Sequence, residues 1–164
     1  MIFVTVGTHE QSFDRLIRCI DEMVGKDIIK EKVVMQVGYC KYIPKNCEYS
    51  KLYSYDEMNL FAQKSKIIVT HGGPGSIFLA QQYGKMPIVM PRQKKYNEHV
   101  DNHQVIFSKK MAQMNKIVLA LEESDLSEKL IKELNKETEN SIYENNNDEF
   151  VRKFKELINQ WDFM

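Results

Sequence analysis

Short apolar runs rich in β-branched residues alternate along this chain with segments whose apolar residues recur at helical spacing. The runs are IFVTV at Ile2 to Val6, VVMQVG at Val33 to Gly38, IIVT at Ile67 to Thr70, PIVMP at Pro87 to Pro91 and KIVLAL at Lys116 to Leu121, with a further short stretch around Lys51 to Tyr53. Continuous apolar runs of this length are typical of strands that are buried on both faces. Because strands that alternate with helices form parallel sheets, the pattern predicts an α/β fold.

The segments between the runs predict helices at residues 11–24, 56–65, 76–84 and 98–110. The third ends at Gly84, a residue that is common just past a helix C-terminus. A chain of 164 residues, 43% of them hydrophobic, suits a single domain. We expect that domain to span 1–164, with a core over about 1–121 and a charged, helical C-terminal tail over about 122–164.

The charge of the chain is zero in sum but unevenly distributed. Residues 66–110 carry seven Lys or Arg and two Asp or Glu, whereas residues 121–164 carry six and twelve. A basic middle favours an anionic ligand, and the absence of a long basic run disfavours nucleic acid. Three cysteines without metal-ligand spacing fit a reducing cytoplasm. No leader peptide and no apolar run near ~20 residues is evident, so we expect no membrane span.

The window VTHGGPGS, residues 69–76, concentrates glycine where the third apolar run meets the third predicted helix. A helix N-terminus presents unpaired N–H groups and a partial positive charge, and glycines let the backbone approach a phosphate closely. The candidate diphosphate-binding residues are His71, Gly72, Gly73, Pro74, Gly75 and Ser76. The window matches neither the P-loop nor the GxGxxG pattern. By spacing alone, a plain strand-to-helix turn remains open beside phosphate binding.

Two other segments are expected at the same edge of the sheet, because ligands of parallel α/β sheets bind beyond the carboxyl ends of the strands. Gly7, Thr8 and His9 follow the first run, and the loop from Pro91 to Gln104 follows the fourth. That loop supplies Arg92, Glu98, Asn102 and Gln104 as further candidates. Taken singly, His99 and His103 also suit a solvated helix surface, and Arg92 a solvated loop. No HExxH zinc motif and no GxSxG nucleophile motif occurs, so neither a metal nor a nucleophilic serine is predicted.

Four separated stretches, FVTVGTHEQSFDRLI, SYDEMNLFAQKSKIIVTHGGPGS, GKMPIVMPRQKK and NEHVDNHQ, resemble one family in the same order. That family comprises the small catalytic subunits of two-part bacterial exopolysaccharide and capsular polysaccharide glycosyltransferases. They are related to the catalytic subunit of the eukaryotic dolichol-linked N-acetylglucosaminyltransferase. More distantly, they are similar to the C-terminal half of the N-acetylglucosaminyltransferase that makes lipid II. The resemblance covers roughly residues 1–121.

The resemblance implies a Rossmann-like parallel sheet, the single C-terminal-type half of a GT-B glycosyltransferase that binds a UDP-sugar. It implies that HGGPGS holds the diphosphate, that Tyr55 and Met58 line the uracil, and that Glu98, Asn102 and Gln104 face the sugar or ribose. The resemblance implies that residues 71–76, helped by Arg92, stabilise the leaving UDP. The general base is either His9 or a group of an acceptor-binding partner subunit. A ribose-binding glutamate of the relatives is replaced here by Leu79, which weakens the assignment of UDP.

The implied reaction is metal- and cofactor-independent transfer of a hexose to a lipid-diphosphate-linked saccharide, with inversion, in exopolysaccharide or capsule synthesis. A GT-B enzyme has two Rossmann-like domains, so we expect a membrane-anchored acceptor-binding subunit to complete the fold. That partner would recruit a cytoplasmic chain to the inner face of the membrane. A tail stripe at Phe150, Phe154, Leu157, Ile158 and Trp161 is a candidate docking surface, although it also suits packing on the chain's own sheet. The alternatives are a non-catalytic nucleotide-sugar-binding module and, less favoured by length, an epimerase.

Overall fold

The computed structural model describes residues 1–136 of the chain. They form one parallel sheet of six strands in the order β3-β2-β1-β4-β5-β6. The strands are β1 Ile2–Thr5, β2 Val33–Gln36, β3 Glu48–Ser50, β4 Ile67–Thr70, β5 Ile88–Val89 and β6 Val118–Leu119. The helices are α1 Asp14–Gly25, α2 Tyr55–Lys64, α3 Pro74–Gln82, α4 His103–Gln113 and α5 Glu123–Asn135. The predicted α/β class with a parallel sheet is confirmed.

The three central strands β1, β2 and β4 are buried at every position. Alternate residues of these strands point to opposite faces of the sheet, so each face has its own apolar cluster. Val4 and Val69 join the cluster that contains buried residues of α1 and α5. Phe3 and Ile68 join the cluster of α2 and α3. Helices on both faces explain why these strands are continuous apolar runs rather than alternating ones.

The strand order reverses between β1 and β4. From β1 the chain moves outward to β2 and β3, and it then returns to place β4 on the other side of β1. Loops that leave two such strands diverge to opposite sides of the sheet and open a crevice, where ligands of open α/β sheets bind. Residues 7–9 follow β1 and residues 71–76 follow β4. The fold therefore places the predicted glycine window at this crevice.

Two predicted elements differ from the structure. The strand expected around Lys51 to Tyr53 lies three residues earlier, at Glu48–Ser50. It is an edge strand in which Glu48 and Tyr49 are exposed, so no apolar run marks it. The helix expected at 98–110 begins only at His103, because Asn97 turns the chain with a positive φ of 56° and the next five residues form a loop.

The C-terminal part of the described chain packs on the sheet as α5. Leu126 and Leu130 of this helix are fully buried in the cluster that contains β1 and α1, so packing continues beyond the predicted core limit near residue 121. The tail stripe from Phe150 to Trp161 lies outside the described residues. None of the helices in residues 1–136 combines the length and the apolarity that a membrane crossing requires.

Candidate active site

The glycine-rich window forms the turn from β4 into α3. Gly73 precedes the helix and Pro74 is its first residue, two residues before the predicted start; a proline suits this position because it needs no N–H donor there. No side chain of residues 1–136 caps this N-terminus. Pro74 and Gly75 are exposed, and a Cβ built at Gly75 would meet no described atom within 4 Å. An uncapped helix N-terminus with open space before it suits a phosphate group.

Gly7 and Gly73 leave the space that the His71 ring occupies. A Cβ at Gly7, which has a positive φ of 71°, would lie 2.5 Å from Cε1 of the His71 ring. A Cβ at Gly73 would clash with Nε2 of the same ring. The imidazole therefore fills the space between the loop after β1 and the loop after β4. Gly75 differs from these glycines, because no described atom would clash with a side chain there. A glycine at this position leaves the backbone open to a ligand that approaches from solvent.

His71 is buried, with 8% of its surface exposed. Its backbone N–H donates to the carbonyl of Thr5 at 3.3 Å, and its Nδ1 lies 3.3 Å from Oγ1 of Thr70. Burial, and then the positive charge of Arg92, lower the pKa of His71 from 6.5 to about 3. The imidazole is therefore neutral at pH 7 and can offer a leaving diphosphate one N–H but no positive charge.

Arg92 is fully buried, so it does not belong to the solvated loop that its sequence position also suited. Its guanidinium donates to the carbonyls of Gln11 at 2.6 Å, Glu98 at 3.1 Å and Val6 at 2.9 Å. Its Cζ also lies 4.9 Å from the centroid of the Phe13 ring. Arg92 thus ties the β1–α1 loop to the β5–α4 loop, and its predicted help in stabilising the leaving UDP stays a prediction. Because the two loops cover the Arg92 guanidinium, its positive charge can act on a ligand only at a distance, without direct contact.

Glu98 is also buried, at 4% exposure, contrary to its predicted place beside the sugar or ribose. Its carboxylate accepts two hydrogen bonds from Arg15, at 2.8 and 3.0 Å, and one from the backbone N–H of Gln93 at 3.0 Å. A bidentate pair of this kind fixes geometry well. Glu98 therefore anchors the β5–α4 loop to α1, and both of its carboxylate oxygens already accept hydrogen bonds within the chain.

Asn102 and Gln104 lie at the start of α4. Asn102 is exposed, and its Oδ1 accepts from the backbone N–H of Lys94 at 3.1 Å. Oε1 of Gln104 accepts from the backbone N–H of Arg92 at 3.2 Å. The side chain of Gln104 also packs on Gly72, where a Cβ would lie 2.8 Å from the Gln104 Cβ. Gln104 therefore borders the glycine window, and the contact of Asn102 and Gln104 with the donor stays a prediction.

The predicted nucleobase side is formed by the N-terminus of α2. Ser54 caps this helix, accepting from the N–H of Glu57 at 3.3 Å while the Glu57 carboxylate accepts from the Ser54 N–H at 2.8 Å. This reciprocal capping box fixes where the helix starts. Tyr55, the first helical residue, is 75% exposed, and Met58 is partly buried against the apolar cluster that contains Phe3 and Ala62. An exposed aromatic ring and a nearby apolar side chain can cover a base.

Histidines from two loops stack beside the window. The rings of His9 and His99 lie 4.6 Å apart and nearly parallel, at 20°. Nε2 of His9 is 2.9 Å from Oε1 of Gln11, and Nδ1 of His99 is 3.2 Å from Oδ1 of Asp101. Thr8 is exposed next to His9. The predicted convergence of the loops after β1, β4 and β5 is thus present, although His99 lies in a loop and not on a helix surface.

The family described as "Glycosyltransferase family 28 C-terminal domain" matches residues 1–161 of the chain. The chain belongs to this family. The human protein "UDP-N-acetylglucosamine transferase subunit ALG13" is 29% identical over 107 residues, which are 60% of this chain and 9% of the human one. The chain therefore spans a small part of that relative.

Solved structures of similar fold are glycosyltransferases. The glycosyltransferase of kitacinnamycin superposes with a TM-score of 0.61 at 15% identity, over 88% of this chain and 36% of that one. The calicheamicin glycosyltransferase CalG4 gives 0.54 at 14% identity, over 77% and 32%. SnogD from Streptomyces nogalater gives 0.50 at 15%, over 82% and 39%. The fold of this family 28 domain is that of GT-B C-terminal domains, and the chain spans about a third of each structure.

A buried polar relay in this family 28 domain was not predicted from the sequence. The backbone N–H of Tyr53 donates to Oε1 of Gln36 at 3.1 Å, and Nε2 of Gln36 donates to Oγ1 of Thr5 at 3.1 Å. The same hydroxyl accepts from the backbone N–H of Gly7 at 3.2 Å. The relay joins the loop that precedes α2 to the loop that follows β1. One sequence feature could have indicated it: the apolar strands β1 and β2 each end in a polar residue, Thr5 and Gln36.

Proposed function

We propose that this chain is the donor-binding catalytic subunit of a glycosyltransferase that moves a hexose from a UDP-sugar to a lipid-diphosphate-linked saccharide. The setting we favour is exopolysaccharide or capsule synthesis. Membership of a glycosyltransferase family supports the reaction class. The observation that carries the donor assignment is the uncapped N-terminus of α3, open in front of Gly75. It lies at the crevice where the strand order reverses.

The proposed mechanism is displacement at the anomeric carbon with inversion, without a metal or cofactor. As the bond to UDP breaks, negative charge grows on the diphosphate, and preorganised N–H donors stabilise that charge without reorganising. The donors would be the backbone N–H groups of Gly75 and Ser76, the Ser76 hydroxyl and the neutral imidazole of His71. Arg92 would add a positive field from its buried position. Tyr55 and Met58 would hold the uracil.

The acceptor half of the enzyme is proposed to come from a second, membrane-anchored subunit. The described chain forms one Rossmann-like sheet, and GT-B enzymes bind their acceptor with another. The human relative is itself named as a subunit of a UDP-N-acetylglucosamine transferase, which supports a divided enzyme. With such a partner, a cytoplasmic chain would work at the inner face of the membrane.

Substitution of Gly75 tests the donor site directly. Alanine is a better helix former than glycine, so Gly75→Ala should leave the free energy of unfolding unchanged or raise it by up to about 1 kcal/mol. The added methyl group would nevertheless occupy the space that a phosphate needs. We therefore expect UDP to bind at least about tenfold more weakly, or about 1.4 kcal/mol, by isothermal titration calorimetry.

The matched control is Gln82→Ala, because Gln82 is exposed at the other end of α3. It should leave the UDP dissociation constant unchanged. Wild-type affinity in Gly75→Ala would place the diphosphate elsewhere and contradict the proposal. UDP-sugar binding without UDP release, with or without the partner and a lipid-linked acceptor, would favour the alternative of a non-catalytic binding module.

A further inference from the structure

The β2–β3 loop, residues 37–47, presents basic and apolar side chains to solvent. Every second residue from 39 to 45 is exposed, and the residues between them are buried or half-buried. The exposed set is Tyr39, Lys41, Ile43 and Lys45, of which Ile43 is 65% exposed. The loop contains no Asp or Glu. It therefore offers two cations, an aromatic ring and a branched apolar side chain without a negative charge of its own.

Two carboxylates of α1 fix the loop from its inner side. Oδ1 of Asp14 accepts from the backbone N–H groups of Lys41 and Tyr42, at 2.8 and 3.0 Å. Asp21, which is buried, accepts from the backbone N–H of Lys45 at 3.0 Å and from the Tyr42 hydroxyl at 2.8 Å. No ion pair within residues 1–136 involves Lys41 or Lys45. The loop is thus held in one shape while its two ammonium groups stay available to an outside anion.

The loop opens at the same edge of the sheet as the crevice. It leaves the carboxyl end of β2, which is parallel to β1, and the loop after β1 borders the crevice. The two loops touch, because a Cβ at Gly38 would lie 2.8 Å from the carbonyl oxygen of Gly7. A surface that contacts the β2–β3 loop therefore lies beside the mouth of the crevice.

Further cations border the loop. The ammonium group of Lys51, just after β3, lies 4.5 Å from the centroid of the Tyr39 ring. The guanidinium of Arg18, an exposed residue of α1, lies 5.2 Å from another tyrosine ring of the loop. The adjoining cleft also carries exposed carboxylates, those of Glu10 and Glu123, so the positive charge is concentrated on the loop itself.

This combination of side chains is typical of a lipid–water interface. A lysine lays its alkyl stem along apolar surface and keeps its ammonium group among the headgroups, where an aromatic ring is also favourable. Each basic residue near an anionic bilayer contributes about fivefold to affinity. Protein–protein interfaces are instead depleted in lysine. The loop therefore fits an anionic bilayer better than it fits the surface of another protein.

We propose that the β2–β3 loop contacts the anionic headgroups of a lipid bilayer directly. Ile43 enters the interface, and Lys41, Lys45 and Lys51 lie over the headgroup phosphates. The contact is additional to the proposed partner subunit, and it turns the mouth of the crevice toward the plane in which a lipid-linked acceptor lies. In this last respect the proposal rests on the proposed function above.

Sedimentation with sucrose-loaded vesicles tests the contact in the full chain. The vesicles consist of phosphatidylcholine with about one third phosphatidylglycerol, or of phosphatidylcholine alone, at about 0.1 M salt. The wild type should bind the anionic vesicles about tenfold more tightly than the neutral ones, or better. Lys41→Gln with Lys45→Gln should weaken this binding by about 25-fold, which is two steps of about fivefold. Ile43→Ser should weaken it by about fivefold.

The matched control is Lys30→Gln with Lys64→Gln. Both lysines are exposed, Lys30 shortly before β2 and Lys64 at the end of α2 before β4, so they lie at the opposite edge of the sheet. This variant loses the same charge but should bind anionic vesicles within about twofold of the wild type. Equal losses in the two double variants would mean an effect of net charge alone and would overturn the proposal. A wild type that binds neither vesicle would also overturn it and would assign the loop to a protein partner or a second copy.

A spectroscopic measurement locates the contact. Trp161 is the single tryptophan of the chain, so Ile43→Trp combined with Trp161→Phe leaves one tryptophan, on the loop. Anionic vesicles should shift its emission to the blue, and brominated lipid should quench it. Ile28→Trp in the same background is the control, because Ile28 is exposed between α1 and β2, at the opposite edge of the sheet. An unchanged emission at position 43, or an equal shift at position 28, contradicts the contact.

UDP titration separates this proposal from the proposed function. None of the substituted side chains belongs to the proposed donor site, so each variant should keep the UDP dissociation constant of the wild type within about twofold. A chain that binds anionic vesicles through the loop but does not bind UDP contradicts the proposed function alone. A chain that binds UDP but no vesicles contradicts the membrane contact alone.

Discussion

At the scale of single residues, the site is built from buried groups as much as from exposed ones. His71 separates two glycine-bearing loops with a neutral ring. The terminal nitrogens of Arg92 donate to backbone carbonyls, and the Glu98 carboxylate accepts from a backbone N–H and from Arg15. The crevice is therefore shaped largely by buried residues, and the exposed turn at Gly75 supplies most of the proposed contact surface.

Burial of His71 makes the stability of the fold sensitive to acid. Its pKa is about 3 in the folded chain and 6.5 as the ordinary value. The unfolded chain therefore binds a proton below pH 6.5 that the folded chain does not bind. This contribution to stability is complete above pH 6.5 and is lost progressively as the pH falls toward 3, with about 2 kcal/mol lost at pH 5.

Urea unfolding of wild type and His71→Gln at pH 7.5 and pH 5.0 measures this effect. The variant should be less stable at pH 7.5, because its side chain does not match the space between the glycine loops. Its loss of stability between the two pH values should nevertheless be smaller than that of the wild type by about 2 kcal/mol. The acidic groups shared by both proteins cancel in this comparison. An equal pH dependence would contradict a buried, neutral His71.

At the scale of elements, the Gln36 relay links the predicted nucleobase and diphosphate ends of the crevice. Gln36→Met keeps the approximate volume of the side chain but leaves the N–H of Tyr53 and the hydroxyl of Thr5 without this partner, a loss of about 1–3 kcal/mol in stability. Because both loops depend on it, we expect UDP to bind about tenfold more weakly in calorimetry.

Gln81→Met provides the control for the relay. Nε2 of Gln81 donates to the carbonyl of Lys116 at 3.0 Å on the far side of α3, so the variant also loses a partly buried hydrogen bond. It should lower stability without changing UDP affinity. Equal UDP affinities in Gln36→Met and the wild type would mean that the relay stabilises the fold but does not position the site.

Local patterns explain why some elements were predictable. Strand β4 was predicted with its observed bounds, Ile67–Thr70, because four apolar or β-branched residues between polar neighbours form a buried central strand. The exposed edge strand β3 lacks such a run. The roles of Glu98 and Arg92 were not predictable, because their partners Arg15 and Val6 lie 83 and 86 residues away in sequence. Spacing along the chain carries no signal for such contacts.

At the scale of the whole molecule, the described chain is one half of a two-domain architecture. A single parallel sheet with its switch between β1 and β4 forms the crevice that we propose for the donor, and the family match covers residues 1–161. The order of the elements, and hence the meeting of the three loops, followed from the sequence. Which side chains would face a ligand depended on tertiary contacts, so the sequence did not reveal the burial of Arg92 and Glu98, although it did predict that residues 71–76 follow a central strand.

A crystal structure of the chain with UDP tests the central claim most directly. The account predicts diphosphate oxygens about 3 Å from the backbone N–H groups of Gly75 and Ser76, with the uracil beside Tyr55 and Met58. A nucleotide bound away from the N-terminus of α3, or a His71 ring that blocks that N-terminus and excludes UDP at saturating concentration, would contradict it.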